Sequence, residues 1–169
     1  MKRYIKSAVT RLEDEDPTAQ FGVAKDLHAR PEILQQLANS EIVQVRAQVA
    51  KNPNTPFDTL LELAHDEAYV VRIQVARNSN ATAGLLEEMS YDSTDNVNAA
   101  VAENLKTPEA VLRRLAETPD RLDGSMVRCA VADNPNTPRD VLQKLACDPR
   151  IFVRKTAKRN LQDALDSGT

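Results

Sequence analysis

One eight-residue phrase, Val-Arg-x-x-Val-Ala-x-Asn, returns along this chain at a nearly constant spacing. Full copies begin at Val45, Val71 and Val127, a copy without the arginine begins at Val97, and a partial copy begins at Val153. Successive copies lie 26, 26, 30 and 26 residues apart. A fixed period of this length is typical of stacked-repeat proteins, in which each repeat buries its apolar face against its neighbours. The chain is therefore predicted to form a repeat solenoid.

Each repeat is predicted to contain two short helices. In the repeat that begins at Val45, apolar residues recur at helical spacing and indicate a helix of about two turns. Asn52 and Pro53 end this helix, because proline cannot continue it and disfavours helical backbone in the residue before it. Thr55 is predicted to cap a second helix with Pro56 in its first turn, and leucines supply the apolar face of that helix. The predicted fold class is all-α.

The period divides the 169 residues into about five repeats and two ends, which together form one domain. Residues 1–18 are predicted to hold an amphipathic capping helix at 2–13, and residues 153–169 a closing helix and tail. Four extra residues near 118–125 are predicted to form a loop, either a tolerated bulge, which we favour, or part of a binding edge. The repeats are assigned to residues 19–44, 45–70, 71–96, 97–126 and 127–152.

Composition narrows the classes of function. The formal net charge of −3 argues against a chain that binds nucleic acid through its overall charge. Cys129 and Cys147 are too few for a disulfide framework or a four-cysteine metal site, and we expect both to be small, buried core residues. The first residues lack the apolar run of a signal peptide, and no stretch reaches membrane-spanning length. A soluble, cytoplasmic protein without a membrane partner is expected.

An asparagine occupies the last position of every copy of the phrase. Asparagine suits a helix C-terminus and can bond to nearby backbone groups, so a column that serves the turns is the favoured interpretation. A ligand-binding ladder of amides is the alternative, and it requires those amides to be exposed. The column consists of Asn52, Asn78, Asn104, Asn134 and Asn160.

The arginines of the phrase are predicted to pair with aspartates at helix starts, in the same or an adjacent repeat. Binding of a phosphate or carboxylate is the alternative role. The pattern is broken at Asn98, which replaces the arginine that Asp92 would face, and at Ser40, which replaces the acid before Arg46. Arg46 is therefore predicted to be the least clearly partnered arginine. The predicted pairs are Asp66 with Arg72, Asp123 with Arg128 and Asp148 with Arg154.

Two slots of the phrase differ from repeat to repeat and are the predicted interaction surface. They are three residues apart, so both lie on one helix face, and along the chain their charge runs from basic to acidic and back to basic. Such a strip suits a charged protein or peptide, and an ordinary solvated surface is the alternative. The first slot holds Gln48, Gln74, Ala100, Ala130 and Thr156, and the second holds Lys25, Lys51, Arg77, Glu103, Asp133 and Arg159.

A second candidate surface is the basic C-terminal segment. Arg154, Lys155, Lys158 and Arg159 share one broad helical face, which makes nucleic acid or another acidic partner the alternative ligand. No catalytic motif, phosphate loop or zinc-ligand spacing is present in the sequence. His28 and His65 are 37 residues apart and are predicted to be surface or helix-end residues. A non-enzymatic protein without a cofactor is expected.

The phrase continues as Asn-Pro-x-Thr-Pro and then Leu-x-x-Leu-Ala, and in this form it resembles the leucine-rich repeat variant family. Residues 45–66 and 127–148 carry the pattern most fully, and weaker copies extend it over roughly residues 19–160. The resemblance implies a right-handed superhelix of α-helices and short or 3₁₀ helices, related to HEAT and armadillo stacks. A member of that family resembles an iron–sulfur protein with an N-terminal cysteine cluster. This chain has no cysteine before Cys129, so that cofactor is not expected here.

Overall fold

A computed structural model describes residues 16–119 and 124–166, with side chains to residue 163. Within these ranges the regular structure is entirely α-helical, which confirms the predicted all-α repeat fold. The expected 3₁₀ helices are absent from the described residues, where the short helices are seven-residue α-helices. The predicted capping helix at 2–13 lies outside the described residues. The helices are α1 (Pro17–Lys25), α2 (Pro31–Leu37), α3 (Val43–Lys51), α4 (Phe57–Leu63), α5 (Tyr69–Arg77), α6 (Ala83–Met89), α7 (Asp95–Glu103), α8 (Glu109–Leu115), α9 (Gly124–Asp133), α10 (Arg139–Leu145) and α11 (Ile151–Asp166).

Two kinds of helix alternate along the chain. The odd-numbered helices carry the repeated phrase or its diverged copies, and we call them the Val-Arg helices. The even-numbered helices each have seven residues and carry the leucines, and we call them the leucine helices. The predicted closing helix is confirmed as α11, which has 16 residues and begins two residues before Val153.

The first compact unit of the chain comprises residues 1–81. Its Val-Arg helices pack on one another, with α3 between α1 and α5, while α2 and α4 pack against the Val-Arg helices that precede and follow them in the chain. The core between these layers is aliphatic, as the scarcity of aromatic residues in the composition requires. Its fully buried side chains include Leu34, Val45, Val49, Leu60, Val71 and Val75.

The second compact unit comprises residues 82–169 and repeats this arrangement. Helix α9 packs between α7 and α11, and the leucine helices α8 and α10 each contact the Val-Arg helices on either side of them in the chain. The same slots of the repeat supply the core as in the first unit. Its fully buried side chains include Leu86, Val97, Val101, Leu112, Val127, Val131 and Val153.

The asparagine column ties the carbonyl ends of the Val-Arg helices to the next repeat. Asn78 Nδ2 donates to the carbonyl of Ala50 at 2.6 Å and to that of Asn52 at 2.9 Å, and its Oδ1 accepts from the Asn80 N–H at 2.8 Å. These carbonyls belong to a helix end, where no intrahelical donor remains. The structural interpretation of the column is confirmed. The same two bonds join Asn52 to Ala24 and Asp26, and Asn134 to Ala102 and Asn104.

The predicted helix cap at Thr55 is wrong. Its buried hydroxyl donates back to the carbonyl of Val49 at 2.5 Å, and α4 begins at Phe57, so Pro56 holds the cap position without a side-chain bond. The hydroxyl is used by the preceding helix because that helix leaves its last carbonyls without donors. Thr107 and Thr137 bond in the same way to Val101 and Val131. Thr82 occupies the slot of Pro56 and does cap its helix, accepting from the N–H of Leu85.

The cysteines are less buried than predicted. Cys129 is half-buried and Cys147 is exposed, so the expectation of two core cysteines is wrong. Cys147 lies just after a leucine helix, in the slot that His65 and Tyr91 hold in earlier repeats, and those two residues are also exposed. The exposure of His65, like that of His28, confirms the prediction of surface histidines.

The extra residues of the long repeat fall largely outside the described ranges, at 120–123. Their two ends approach closely, because a Cβ added to Gly124 would lie 1.9 Å from the carbonyl oxygen of Pro119. Only glycine fits at the start of α9 in this arrangement. Whether the loop is a bulge or part of a binding edge stays open.

The asparagine column yields a stability prediction. Asn78→Ala removes both donors from two helix-end carbonyls, and we expect a loss of about 2–3 kcal/mol in the free energy of unfolding. Asn80→Ala is the matched control, since Asn80 is exposed and its side chain makes one inter-repeat bond, to the carbonyl of Pro53 at 2.7 Å. Urea unfolding followed by circular dichroism measures both. Equal losses in the two variants would contradict the structural role of the buried column.

Candidate interaction surface

Arg46 forms several hydrogen bonds to a carboxylate and to backbone carbonyls. Its Nε donates to Asp66 Oδ2 at 2.6 Å and its Nη2 to Asp66 Oδ1 at 3.0 Å, while Nη1 donates to the carbonyl of Ser40 at 2.9 Å. The two side chains are 10% and 7% exposed. The prediction that Arg46 is poorly partnered is therefore wrong. This buried arginine belongs to the stack rather than to a ligand site.

The partner carboxylate lies 20 residues after Arg46 and 20 residues after Arg128. Arg128 repeats the geometry of Arg46, with Nε 2.6 Å from Asp148 Oδ2. The aspartate six residues before an arginine offers its backbone carbonyl instead, at 2.7 Å from Arg72 and from Arg154. The sequence analysis thus identified the right residues but assigned the carboxylates to the wrong arginines. Each aspartate lies just before the next Val-Arg helix and faces the arginine of the preceding Val-Arg helix, because these helices stack directly. The predicted pair of Asp123 with Arg128 lies partly outside the described residues.

In the repeat of residues 97–126, neither the arginine nor the aspartate of this ion pair is present. Asn98 replaces the arginine, and Thr118, 20 residues later, replaces the aspartate. The amide of Asn98 donates to the carbonyl of Asp92 at 2.9 Å, but its buried Oδ1 has no hydrogen-bond partner among the described residues. At the other end of the series, the Ser40 hydroxyl donates to Gln20 Oε1 at 2.8 Å. The 20-residue spacing was therefore visible in the sequence as a paired substitution.

The buried pair shifts the titration of its acid. Burial by itself would raise the pKa of the Asp66 carboxyl, but hydrogen bonds from the Arg46 guanidinium and from the Ala68 N–H outweigh that effect. The pKa of Asp66 is held below its ordinary value. The ionised form is therefore favoured in the folded state.

The variable slots lie on the Val-Arg helices and differ in exposure. Gln48 and Gln74 are half-buried, and the alanines that hold the same slot in α7 and α9 are buried. The second slot is exposed throughout, because it faces away from the core. Its members are Lys25, Lys51, Arg77, Glu103, Asp133 and Arg159.

Two of the four cations predicted to form a basic C-terminal patch are already engaged. Arg154 donates to the carbonyls of Asp148 and Pro149, and Arg159 Nη2 lies 2.5 Å from Asp133 Oδ1 on the adjacent helix. Lys155 and Lys158 are exposed and have no ion-pair partner among the described residues. The patch is therefore weaker than its sequence indicates.

The leucine helices present a different surface, on which charges pair across repeats. Arg113 bonds to Glu109 on its own helix and to Asp140 on the next leucine helix, with Nη2 3.0 Å from Asp140 Oδ1. Lys144 and Glu117 form another such pair. The Arg113 guanidinium holds the pKa of the Asp140 carboxyl below its ordinary value. Exposed pairs of this kind contribute little to stability.

Two negative findings apply to the described part of the chain. No group of three or more His, Cys, Asp or Glu side chains is arranged to hold a metal ion there. None of its helices has the length and apolar character needed to cross a membrane.

The paired loss at Asn98 and Thr118 predicts energetic coupling. Asn98→Arg alone places a cation without its acid, and Thr118→Asp alone places an acid without its cation, so we expect each to destabilise the protein. Combined, they should recover about 1–3 kcal/mol relative to the sum of the two single effects. A double-mutant cycle in urea measures this coupling. Asn98→Lys with Thr118→Asp is the control and should recover less, because lysine cannot form the bidentate pair. Additive effects would refute the pairing rule.

The lowered pKa of Asp66 predicts a pH-dependent contribution to stability. A depressed carboxyl pKa stabilises the fold above the ordinary aspartate range, and this contribution is lost as pH falls through the folded-state value. Asp66→Asn should therefore be clearly destabilising at pH 7 and approach the wild type once pH falls through the folded-state value, below the ordinary aspartate range. Thermal unfolding at pH 7 and at strongly acidic pH measures the difference. The control, Asp140→Asn, alters an exposed pair and should change little at either pH.

Comparison with known proteins agrees with this geometry. The family model described as leucine rich repeat variant matches residues 43–68 and 127–150. No curated protein and no solved structure matches the chain. The first matched segment begins with α3 and the second contains most of α9 and all of α10, so each spans one Val-Arg helix and one leucine helix. Over these two segments the chain is similar to leucine rich repeat variant proteins, a family of helical repeat scaffolds, as the phrase in its sequence predicted.

Proposed function

We propose that this chain is a non-enzymatic repeat scaffold that binds a protein or peptide along the exposed side of its Val-Arg helices. One observation carries the proposal: the residues that recur in the phrase are buried and bonded within the stack, whereas the charged variable slot is exposed. The polar side chains of the phrase form hydrogen bonds or ion pairs within the protein, as seen at Asn52, Asn78, Arg46 and Arg128. Recognition by the chain therefore falls to the residues that differ between repeats.

The charge of the variable slot supports a charged, extended ligand. In the first compact unit the slot is basic, at Lys51 and Arg77. In the second it is acidic at Glu103, and its other two members, Asp133 and Arg159, pair with each other. Within one compact unit packed helices lie roughly 8–10 Å apart, so an extended peptide passes from one slot to the next in about three residues. Gln48 and Gln74 lie one turn away from the basic slots and can donate or accept hydrogen bonds to a peptide backbone.

The compartment is part of the same proposal. Cys129 and Cys147 are both free, and Cys147 is exposed. An exposed free thiol is suited to a reducing compartment such as the cytoplasm.

Nucleic-acid binding through the basic C-terminal patch is the alternative function. It would depend on Lys155 and Lys158, because Arg154 and Arg159 already have partners. Phosphate binding of this kind weakens steeply as salt rises. A net charge of −3 adds no attraction for nucleic acid. We favour the protein partner for these reasons.

Site-specific cross-linking in the native host tests the proposed face. A photoreactive residue at Lys51 or Glu103 lies on the exposed side of the Val-Arg helices, and one at Glu62 or Gln143 lies on the exposed side of the leucine helices. We expect discrete protein cross-links from the first two positions and none from the second two, because only the first face carries the variable slot. Mass spectrometry of the cross-linked bands measures the outcome.

The contrary outcomes are specific. Equal cross-linking from both faces, or none from Lys51 and Glu103, would refute the proposed face. A gel-shift assay with a mixed-sequence oligonucleotide at low salt tests the alternative. We expect no shift, and a shift that disappears in Lys155→Ala/Lys158→Ala would support nucleic-acid binding instead.

A further inference from the structure

An unusual group of exposed apolar side chains lies between α9 and α11 in the second compact unit. Phe152 is 76% exposed, Ile151 is 50% exposed and Met126 is 41% exposed. The equivalent positions on α7 are the polar residues Asp95 and Asn96, whereas on α5 they are Tyr69 and Val70, which are 47% and 38% exposed. Exposed apolar clusters of this kind mark interaction sites more often than single exposed residues do.

The stack does not need these side chains. Helix α11 buries Val153 and Ala157 against the core, and both are fully buried. Phe152 and Ile151 precede the buried Val153 and point to the solvent side of the same helix turn. Their apolar character is therefore not explained by packing within the chain.

The cluster surrounds a groove of about 630 Å³. Met126 and Cys129 line its α9 side, Pro149 lies at one end, and Ile151 and Phe152 line its α11 side. A volume of this size falls in the range of sites that accept a few side chains of a ligand. Methionine and cysteine are soft and adaptable, so this wall can adjust to a bulky apolar group.

The charges at the rim of the groove are positive. Arg150 lines it, and Lys155 lies on the same face of α11 as Phe152, three residues further along. Among the described acids near it, Asp148 is buried and bonded to Arg128, while Asp133 pairs with Arg159. The charges that the described residues place at this rim are therefore those of cations.

We propose that this groove binds a short acidic peptide segment that inserts an aromatic or branched aliphatic side chain beside Phe152. The inference rests on the proposed function and identifies the class of peptide and the place where it binds. The apolar anchor fills the space between Met126 and Phe152, and its flanking carboxylates face Arg150 and Lys155. Hot spots of protein interfaces have this composition, with a buried apolar anchor inside a polar rim.

Peptide selection tests the proposal without a known partner. A phage-displayed library of random-sequence peptides is selected against the full chain, and the enriched peptides are measured by fluorescence anisotropy. We expect enriched peptides to combine an aromatic or aliphatic anchor with acidic residues. Phe152→Ser should weaken their binding about tenfold or more, and Lys155→Glu should weaken it in a salt-dependent way.

The matched control is Leu105→Ser, which removes a side chain that is 64% exposed in the same compact unit but outside the groove. It should leave binding unchanged. No enrichment, enrichment of basic peptides, or binding that ignores Phe152→Ser would overturn the inference. Enriched peptides that lose affinity with Lys51→Glu instead would leave the proposed function intact while refuting the groove. A wild-type dimer dissociated by Phe152→Ser in sedimentation would assign the groove to a second copy of the chain and overturn the inference as well.

Discussion

The carbonyl ends of the Val-Arg helices are the constraint on which the rest of the structure depends. A helix of nine residues leaves a large share of its backbone carbonyls without intrahelical donors. Asn78, in the following repeat, donates two hydrogen bonds to carbonyls at the end of α3. The hydroxyl of Thr55, which follows α3, donates to the carbonyl of Val49 in that helix. Because the asparagine donors come from a neighbouring repeat, a Val-Arg helix completes its hydrogen bonding only when that repeat is stacked on it. Local helix formation and stacking are therefore coupled.

The buried ion pairs impose a similar constraint, because each buried charge needs a partner that stacking brings to it. Arg46 and Arg128 are desolvated by stacking. Each is matched by the carboxylate that lies just before the next Val-Arg helix and by a backbone carbonyl that lies before its own helix. A buried charge without its partner is strongly destabilising, whereas replacing both members by neutral groups is tolerated. This asymmetry explains why Asn98 and Thr118 are both neutral. It also accounts for the hydrogen-bonded pair of Gln20 and Ser40 in the first repeat.

These internal demands leave little of the repeated phrase available for recognition. Its valines and alanines are buried, its asparagines are buried or half-buried, and its arginines are bonded within the stack. Binding is therefore proposed for positions whose residues differ from repeat to repeat, such as the exposed charged residues Lys51 and Glu103. The groove beside Phe152 is a second candidate, because exposed apolar side chains of two neighbouring Val-Arg helices line it together.

The sequence by itself determined the period, the helix ends and the buried columns. These features are encoded locally, by helical spacing and by Asn-Pro at Asn52, so they could be predicted without knowing how repeats meet. Only the tertiary structure decided the partner of Arg46, the bond made by Thr55 and the exposure of Cys147. It also brought Met126 beside Phe152, although 26 residues separate them. These contacts depend on how one helix is placed against the next, and a side chain chooses among several nearby donors and acceptors only after that packing is set.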